Sequence, residues 1–414
     1  MTACRGTWAT AKLKDLASYI TVGFVGSMSS LFKDEGVPLL RGQNIHPYLL
    51  ELTNLKYISL ETHRKWAKSA LKPGDVAIVR VGYPGTACVI PKGLGELNAA
   101  SLVIVRPNPK LIDSDFLCFV LNSPWGKSRI KGLLVGAAQQ VFNTHTAAEL
   151  EISAPPLPDQ HRIAGILSAY NELIENNQRR IKILEEMARS LYREWFVLFR
   201  FPGHDKVKML PSPLGSIPQG WEVRKLGEIA DVNRAQINPR TAPDEVHYID
   251  ISSVSPGQVD TITTYPFSEA PGRARRIVQH ADILWSCVRP NRRSHALALH
   301  PESDTIASTG FAVLTATKVP FSFLYFATTT DDFVTFLANN ATGAAYPAVT
   351  AKTFEDAVLL IPHTHLLKKF GETTAPMAEQ IHIVQRQIQN LRRTRDLLLP
   401  RLLSGQIDLS KGNA

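Results

Sequence analysis

Two stretches of the chain carry the same long hydrophobic rhythm. Ile163, Leu167, Tyr170, Ile174, Asn177, Ile181, Leu184, Ala188, Leu191, Trp195 and Leu198 follow one another at alternating steps of four and three. Phe370, Thr374, Met377, Ile381, Val384, Ile388, Leu391, Arg395, Leu398 and Leu402 repeat that phase. Such spacing is the seam of a coiled coil held for about five heptads. No glycine or proline interrupts the first stretch from Ile166 to Phe201, and Asp159, just after Pro158, opens it with favourable charge. A helix of about 40 residues is roughly 60 Å long at 1.5 Å per residue. Neither stripe can stay exposed, so the two are expected to pack on each other. A whole domain separates them in sequence, which makes the pair antiparallel with one globular domain at each end. Asn177 stands on the seam where the second copy has Val384; it either fixes register or is a partly exposed polar residue.

Each stripe follows a mixed segment of about 150 residues. Turn signals at Leu71-Lys72-Pro73-Gly74-Asp75 precede a strand from Val76 to Val81, matched by Ile283 to Val288. Short helices are expected at Asp115–Asn122 and Ser322–Thr328. The segments end at Pro155-Pro156-Leu157-Pro158 and at Pro362. The expected class is α+β, with domains at 1–156 and 216–362, long helices at 157–200 and 363–405, a linker at 201–215 and a tail at 406–414.

The chain is a tandem repeat. At an offset of 207 residues, Asp75 meets Asp282, Ser101 meets Ser308, Phe116, Leu117 and Phe119 meet Phe323, Leu324 and Phe326, and Gly136-Ala137-Ala138 meets Gly343-Ala344-Ala345. The match reads as gapless from Asp75 to Phe196. Nearer the start the offset is 213, where Trp8, Lys12 and Leu13 meet Trp221, Lys225 and Leu226. Such a period is too long for a solenoid and describes two whole units, which predicts one fold built twice with pseudo-two-fold symmetry.

Composition narrows the function. The 414 residues are 44% hydrophobic, enough for more than one core, and carry a formal net charge of +9. Lys12 and Lys14 break the early segment where a secretory signal would be apolar, and no run of 18 apolar residues occurs. Four scattered cysteines, Cys4, Cys88, Cys118 and Cys287, fit a reducing cytoplasm better than a disulfide framework. The basic excess points weakly to a polyanionic partner.

Catalytic signatures are missing. Gly126-Lys127-Ser128 ends like a phosphate loop, but Leu121 stands in the first glycine's place. Asn122-Ser123-Pro124-Trp125 faintly resembles an amino-methyltransferase motif without its first proline; it reads as a helix-ending turn. No histidine or cysteine cluster has metal-ligand spacing, and His363 and His365 lack a third partner. The expectation is a non-catalytic chain with no metal and no cofactor.

Binding chemistry is better represented. The second domain carries Arg273, Arg275 and Arg276, then Arg289, Asn291, Arg292 and Arg293 directly after its strand. The first has Arg80 and Tyr83 at the corresponding strand end and Arg41, Gln43 and Asn44 in an earlier turn. Two aligned loops then differ: Gln139, Gln140, Asn143 and His145 in one copy, Tyr346, Thr350 and Lys352 in the other. Arginine forks suit phosphates and guanine edges, and amides suit adenine. Read singly these are also ordinary loop residues; as a set they favour double-stranded DNA. The helix charges Glu172, Glu175, Arg179, Arg180, Glu185, Glu186 and Arg189 form either a solvated face or a docking surface.

The order domain, helix, domain, helix resembles the specificity subunit of type I restriction–modification systems. The resemblance rests on Leu157-Pro158-Asp159-Gln160 at the first helix start, Lys72-Pro-Gly-Asp-Val-Ala-Ile-Val-Arg80, Ile283-Leu-Trp-Ser-Cys-Val-Arg289-Pro-Asn, Ser308-Thr-Gly-Phe311 and Leu402-Leu-Ser-Gly405. It covers essentially the whole chain. The second copy departs at its helix start, where His363-Thr364-His365-Leu366-Leu367 replaces Pro-x-x-Gln. The resemblance implies two target-recognition domains that each read half of a split, asymmetric DNA site, with the helix pair setting the gap. It implies docking of two methyltransferase (modification) subunits, which methylate adenine, and of ATP-using restriction/translocase subunits. The cysteine usage and the lack of an 18-residue apolar run lead to the expectation of a cytoplasmic protein with no membrane partner. Two readings of other classes are a fragment of a fused DNA-modifying enzyme and a scaffold outside restriction–modification.

Overall fold

The computed structural model describes residues 8–134 and 141–407. Contacts divide the chain into two compact units, Met1–Asn177 with Gln387–Ala414, and Gln178–Arg386. Each unit therefore owns one domain and half of each long helix.

In the first unit, Val76–Val79 is a strand with all four residues buried. Its side chains alternate between two apolar layers, as period-two geometry demands. Val76 and Ile78 join Val103, Val105, Phe116, Leu117, Ile163, Leu167 and Leu402. Ala77 and Val79 join Leu40, Ala99, Leu102 and Ile104 on the other side. The strand sits in a four-stranded antiparallel sheet of order Ala17–Val22, Leu102–Pro107, Val76–Val79, Ala87–Val89. A second sheet has the order Lys56–Ile58, Val37–Leu40, Leu97–Ala99, Ala70–Leu71, with its two central strands parallel. The short helix Ser114–Asn122 thus covers one face of the first sheet, with segments of the long helices sharing that core, and the second sheet covers the other.

The second unit repeats this order strand for strand. Ala230–Val232, Phe311–Ala316, Asp282–Ser286 and His295–Ala298 form the first sheet. Thr263–Pro266, Glu245–Ile249, Thr305–Ser308 and Ala274–Ile277 form the second, again with a parallel central pair. The alternation recurs too: Ile283 and Trp285 face Phe323, Phe354 and Phe370, while Leu284 faces Ile249 and Ala307. The chain is α+β, with two homologous domains joined by two long helices.

The repeat is not gapless. Val76 pairs with Val105, whereas its counterpart Ile283 pairs with Leu314. On that neighbouring strand the offset is 314 − 105 = 209, and it returns to 207 at Phe116 and Phe323. Two residues are gained before the strand and given back in the turn after it, where sequence matching averages them away. The edges also shift: the central strands stop at Val79 and Ser286 rather than at Val81 and Val288. Helices at Pro124–Leu134 and Asp331–Asn339 lie beyond the expected ones. The expected linker, 201–215, runs into a hairpin of Met209–Ser212 and Gly215–Pro218 that crosses its boundary with the second domain.

The long helices run Leu157–Tyr192 and Thr364–Leu403. Their segments are antiparallel within each unit. In the first, Ile163 and Leu167 pack with Leu399 and Leu402, and Arg395 donates to Asn171 Oδ1 at 2.8 Å. In the second, Tyr192, Trp195 and Phe196 surround Phe370. Every seam position from Ile163 to Trp195 is buried or half-buried, Asn177 included. The exception is Leu198, 36% exposed, because a π-turn at Arg193–Val197 ends the helical phase before it. The first helix start is tied down by Gln160, which is 1% exposed. Its amide donates to the carbonyls of Pro155 and Leu111, and its Oε1 accepts the N–H of Asp113. The second start has buried Leu367 at the equivalent place, and apolar contact replaces the amide bonds.

Candidate nucleic-acid interface

In the second unit the basic residues gather at the end of the strand Asp282–Ser286. The chain leaves that strand through Arg289, which has φ 51° and precedes the turn Pro290–Arg292. Its backbone N–H donates to the Pro347 carbonyl at 2.7 Å and its guanidinium to the Ala345 carbonyl at 3.2 Å. The guanidinium also lies 4.6 Å from the ring centre of Tyr346, which is 68% exposed. Two loops 56 residues apart are thus clasped into one surface, with an arginine fork laid on an aromatic face. Asn291 and Arg292 are exposed at its edge. The other arginine group adjoins it through backbone bonds: Thr309 N–H donates to the Arg273 carbonyl, and Cys287 N–H to the Gly310 carbonyl. Arg273 is exposed. The half-buried Arg276 holds its Nε buried and without a partner, and it is close enough to Cys287 to act against the upward push that burial gives that thiol, which reaches about 11.

Several expected residues have other duties. Arg293 pairs with Asp331, so its charge is already answered. Arg275 donates to the Ala274 carbonyl and lies over Phe267. Lys352 meets Asp356 at 3.2 Å and Glu355 at 3.7 Å. Thr350 caps the helix Ala351–Glu355 by accepting the Thr353 N–H.

In the first unit the equivalent face is built from smaller parts. Phe142 N–H donates to the Arg80 carbonyl at 3.0 Å, as Val349 N–H does to Cys287. Gly82, at φ 85°, takes the left-handed place that Arg289 fills in the other copy. Tyr83 beside it is 82% exposed. The turn Gly42–Asn44 abuts the same strand end, since a Cβ on Gly42 would stand 3.7 Å from Val79. Gln43 is exposed and Arg41 half-buried. Arg41 donates to the Asn54 carbonyl at 3.3 Å and lies 5.8 Å from the Phe32 ring centre. Nε of both Arg41 and Arg80 is buried and unpartnered.

Asn44 does not belong to this surface. It is 1% exposed, its Oδ1 accepts the Arg41 N–H, and its amide donates to the carbonyls of Glu51 and Thr53. Asn143 is exposed but spends its Oδ1 capping the helix Thr144–Ala148. It matches Thr350 in place and in job, so this difference between the copies is a change of cap. His145 is exposed one residue into that helix. Gln139 and Gln140 lie outside the described residues.

Lys127, Trp125 and Arg129 were not among the expected binding residues; the first two lay in segments read as a broken phosphate loop and a helix-ending turn. Lys127 donates to Thr86 Oγ1 at 2.8 Å, and burial lowers its pKa to about 8. Arg129 lies 5.7 Å from the ring centre of Trp125. Their signal was a basic run, Lys127, Arg129 and Lys131, hidden inside a broken phosphate-loop pattern. Asn122, from the segment likened to a methyltransferase motif, ends a helix and exchanges hydrogen bonds with the backbone of Ala87.

Comparison with known proteins gives a consistent result. The family model described as the type I restriction modification DNA specificity domain matches residues 6–186. The chain is 24% identical over 417 residues to a putative type I restriction enzyme MjaX specificity subunit of Methanocaldococcus jannaschii, covering 97% of this chain and 93% of that one. It is also 24% identical over 316 residues to the MjaIX specificity subunit of the same organism, covering 71% and 69%. Among solved structures, a type I restriction–modification system S subunit from M. genitalium shares the fold, with TM-score 0.60, 18% identity and coverage of 95% and 96%. The family match ends at residue 186, and the second unit repeats its topology strand for strand.

Proposed function

Because the chain belongs to the family of type I restriction–modification specificity subunits, we propose that it reads a bipartite, asymmetric DNA site, one half with each domain, and performs no chemistry itself. The observation that carries this reading is one strand order built twice around different contact chemistry. The second domain offers the Arg289–Tyr346 stack with Asn291, Arg292 and Arg273. The first offers Arg41, Gln43, Arg80 and Tyr83 around a glycine turn. Two similar scaffolds with unlike edges select two unlike base strings. Half-buried arginine stems hold their forks in place before DNA arrives, which lowers the ordering cost of binding.

The same proposal assigns the outer faces of the long helices to partner subunits. In the first unit Ile166, Leu173 and Leu397 are exposed at 37%, 52% and 62%. In the second, Ile183, Met187 and Ile383 are exposed at 56%, 52% and 44%. Each unit presents two such residues from the first helix and one from the second, which suits one copy of a modification subunit per unit. Restriction/translocase subunits would join that core.

Selection from random DNA by the purified chain with its modification subunit tests the reading. The expected result is enrichment of two short motifs at a fixed gap, with methyl transfer to adenine only when the modification subunit is present. A single continuous motif, or no motif, would overturn it.

A further inference from the structure

The second unit brings together side chains that the sequence keeps far apart. One donor atom each from His280, His300 and Glu379 lie within 4.8 Å of one another. The Glu379 carboxylate meets Nε2 of His300 at 2.9 and 3.1 Å. The His280 ring lies tilted beside that of His300 with ring centres 4.4 Å apart, and its Nδ1 accepts the His300 backbone N–H at 3.2 Å. A fourth donor follows on the same helix. His382 is three positions beyond Glu379, and its ring centre is 5.8 Å from that of His300. Positions three apart share a helix face, so the helix presents a Glu-x-x-His pair to two histidines from the sheet side.

An exposed His–Glu ion pair would account for His300 and Glu379 alone. It gives no reason for His280 to place a donor within 4.8 Å of both, or for His382 to stand beside His300. Nor does the fold require the group. At the same offset the first copy has Pro73, Glu172 and Glu175 in place of His280, Glu379 and His382.

We propose that this group is a binding site for one divalent transition-metal ion of the zinc class, a use independent of the DNA reading. Imidazole nitrogens with one carboxylate oxygen are a donor set for Zn²⁺, at about 2.0–2.2 Å. A tetrahedral shell of that size places donors about 3.3 Å apart, so the side chains must draw inward by roughly an ångström or more. Both sheet-side histidines are exposed and free to do so, with His280 exchanging its bond to the His300 N–H for the metal. His280 lies just before the strand Asp282–Ser286 and His300 just after the strand His295–Ala298. The ion would clamp that hairpin to the second long helix, a structural rather than catalytic role.

The test uses the full-length, tag-free chain stripped with chelator. Zn²⁺ should bind one per chain and raise the thermal midpoint while Mg²⁺ does not, and Co²⁺ should give ligand-field absorption that Zn²⁺ displaces. His300→Ala and Glu379→Ala should leave the metal-free midpoint near that of the parent and weaken Zn²⁺ binding by about tenfold or more, while His145→Ala binds like the parent. Should His300→Ala fail to fold, His280→Ala and His382→Ala carry the same comparison. Absence of stoichiometric binding at micromolar metal, or full binding by the His280→Ala/His300→Ala double variant, would overturn the site.

Discussion

The guanidinium of Arg289 rests on the ring of Tyr346 at 4.6 Å and donates to the Ala345 carbonyl, so one side chain ties the end of a central strand to a distant loop. An arginine fixed in this way presents its remaining donors in one direction. Arg289→Ala should weaken binding by about 1–3 kcal/mol if those donors meet a base edge, and only for sites carrying the cognate second half. Tyr346→Ala should lose part of the same energy, and the double variant should cost less than the sum. Selection from random DNA gives the readout: an equal loss on all sequences would make Arg289 a phosphate contact.

Arg289 also separates stability from recognition. Its φ of 51° is unfavourable for a side chain with a Cβ, by about 1 kcal/mol or more. Gly82 holds the equivalent place in the first copy at no such cost. Arg289→Gly should therefore keep or raise the thermal midpoint while losing half-site preference as Arg289→Ala does. A glycine variant that melts earlier than the parent would show that the stack contributes more to folding than the backbone strain costs.

Asn143 and Thr350 answer a different question. Both accept a backbone N–H at the start of a short helix. Asn143→Ala and Thr350→Ala should each destabilise their unit by about 1 kcal/mol and leave the selected motif unchanged. A changed motif would return these residues to the reading surface.

These examples mark what the sequence could reveal. The heptad seam and the repeat were legible because periodic burial writes itself into spacing: Ile163 and Leu167 lie at 0% exposure and Val384 at 2%. Strand order was reachable through the repeat, but the two-residue slip at Val105 and Leu314 was not, since compensating length changes leave residue identity aligned on either side. Side-chain duty was least legible. Asn44 and Gln43 are adjacent and equally polar, and only the turn geometry buries one and exposes the other. Arg293 looks like its neighbours until Asp331, 38 residues away, is seen beside it. The His280, His300 and Glu379 group spans separations of 20 and 79 residues, which no local motif can report.

His295 supplies a pH prediction. It is 5% exposed, tilted against Trp285 and edge-on to Tyr325, and faced by Arg189 and Arg293, with Glu185 nearby. Burial, and then these two arginines, lower its pKa from 6.5 to about 4. The unfolded chain takes up the proton first as pH falls. Stability is therefore full above pH 6.5 and declines towards pH 4, by up to about 3 kcal/mol from this group. His382 is shifted in the same direction and adds to the slope. His295→Phe keeps a ring in the site and removes the titration. Its urea-unfolding free energy should fall less between pH 6.5 and 4 than that of the parent; parallel curves would mean that His295 is not the acid-sensitive group.

The length of the long helices should set the gap between half-sites. The boundary between the compact units crosses the first long helix after Asn177 and the second after Arg386. Contacts in the first unit set the register there: Asn171 meets Arg395, and each step forward on one helix is a step back on the other. Inserting seven residues at both points keeps the seam phase and leaves each unit's own core intact. Insertions after Leu184 and Leu391 keep the phase too but fall inside the two units, and these positions do not oppose one another in that register. Seven residues add about 10 Å at 1.5 Å per residue, and DNA advances about 3.4 Å per base pair. The selected gap should therefore lengthen by about three base pairs with both half-site motifs unchanged. Affinity is a poor readout, because three base pairs also rotate one half-site about the DNA axis. Gap length in a selection with randomised spacers is unaffected by that complication. A variant that folds, selects both motifs and keeps the parental gap would show that the helices are not the ruler.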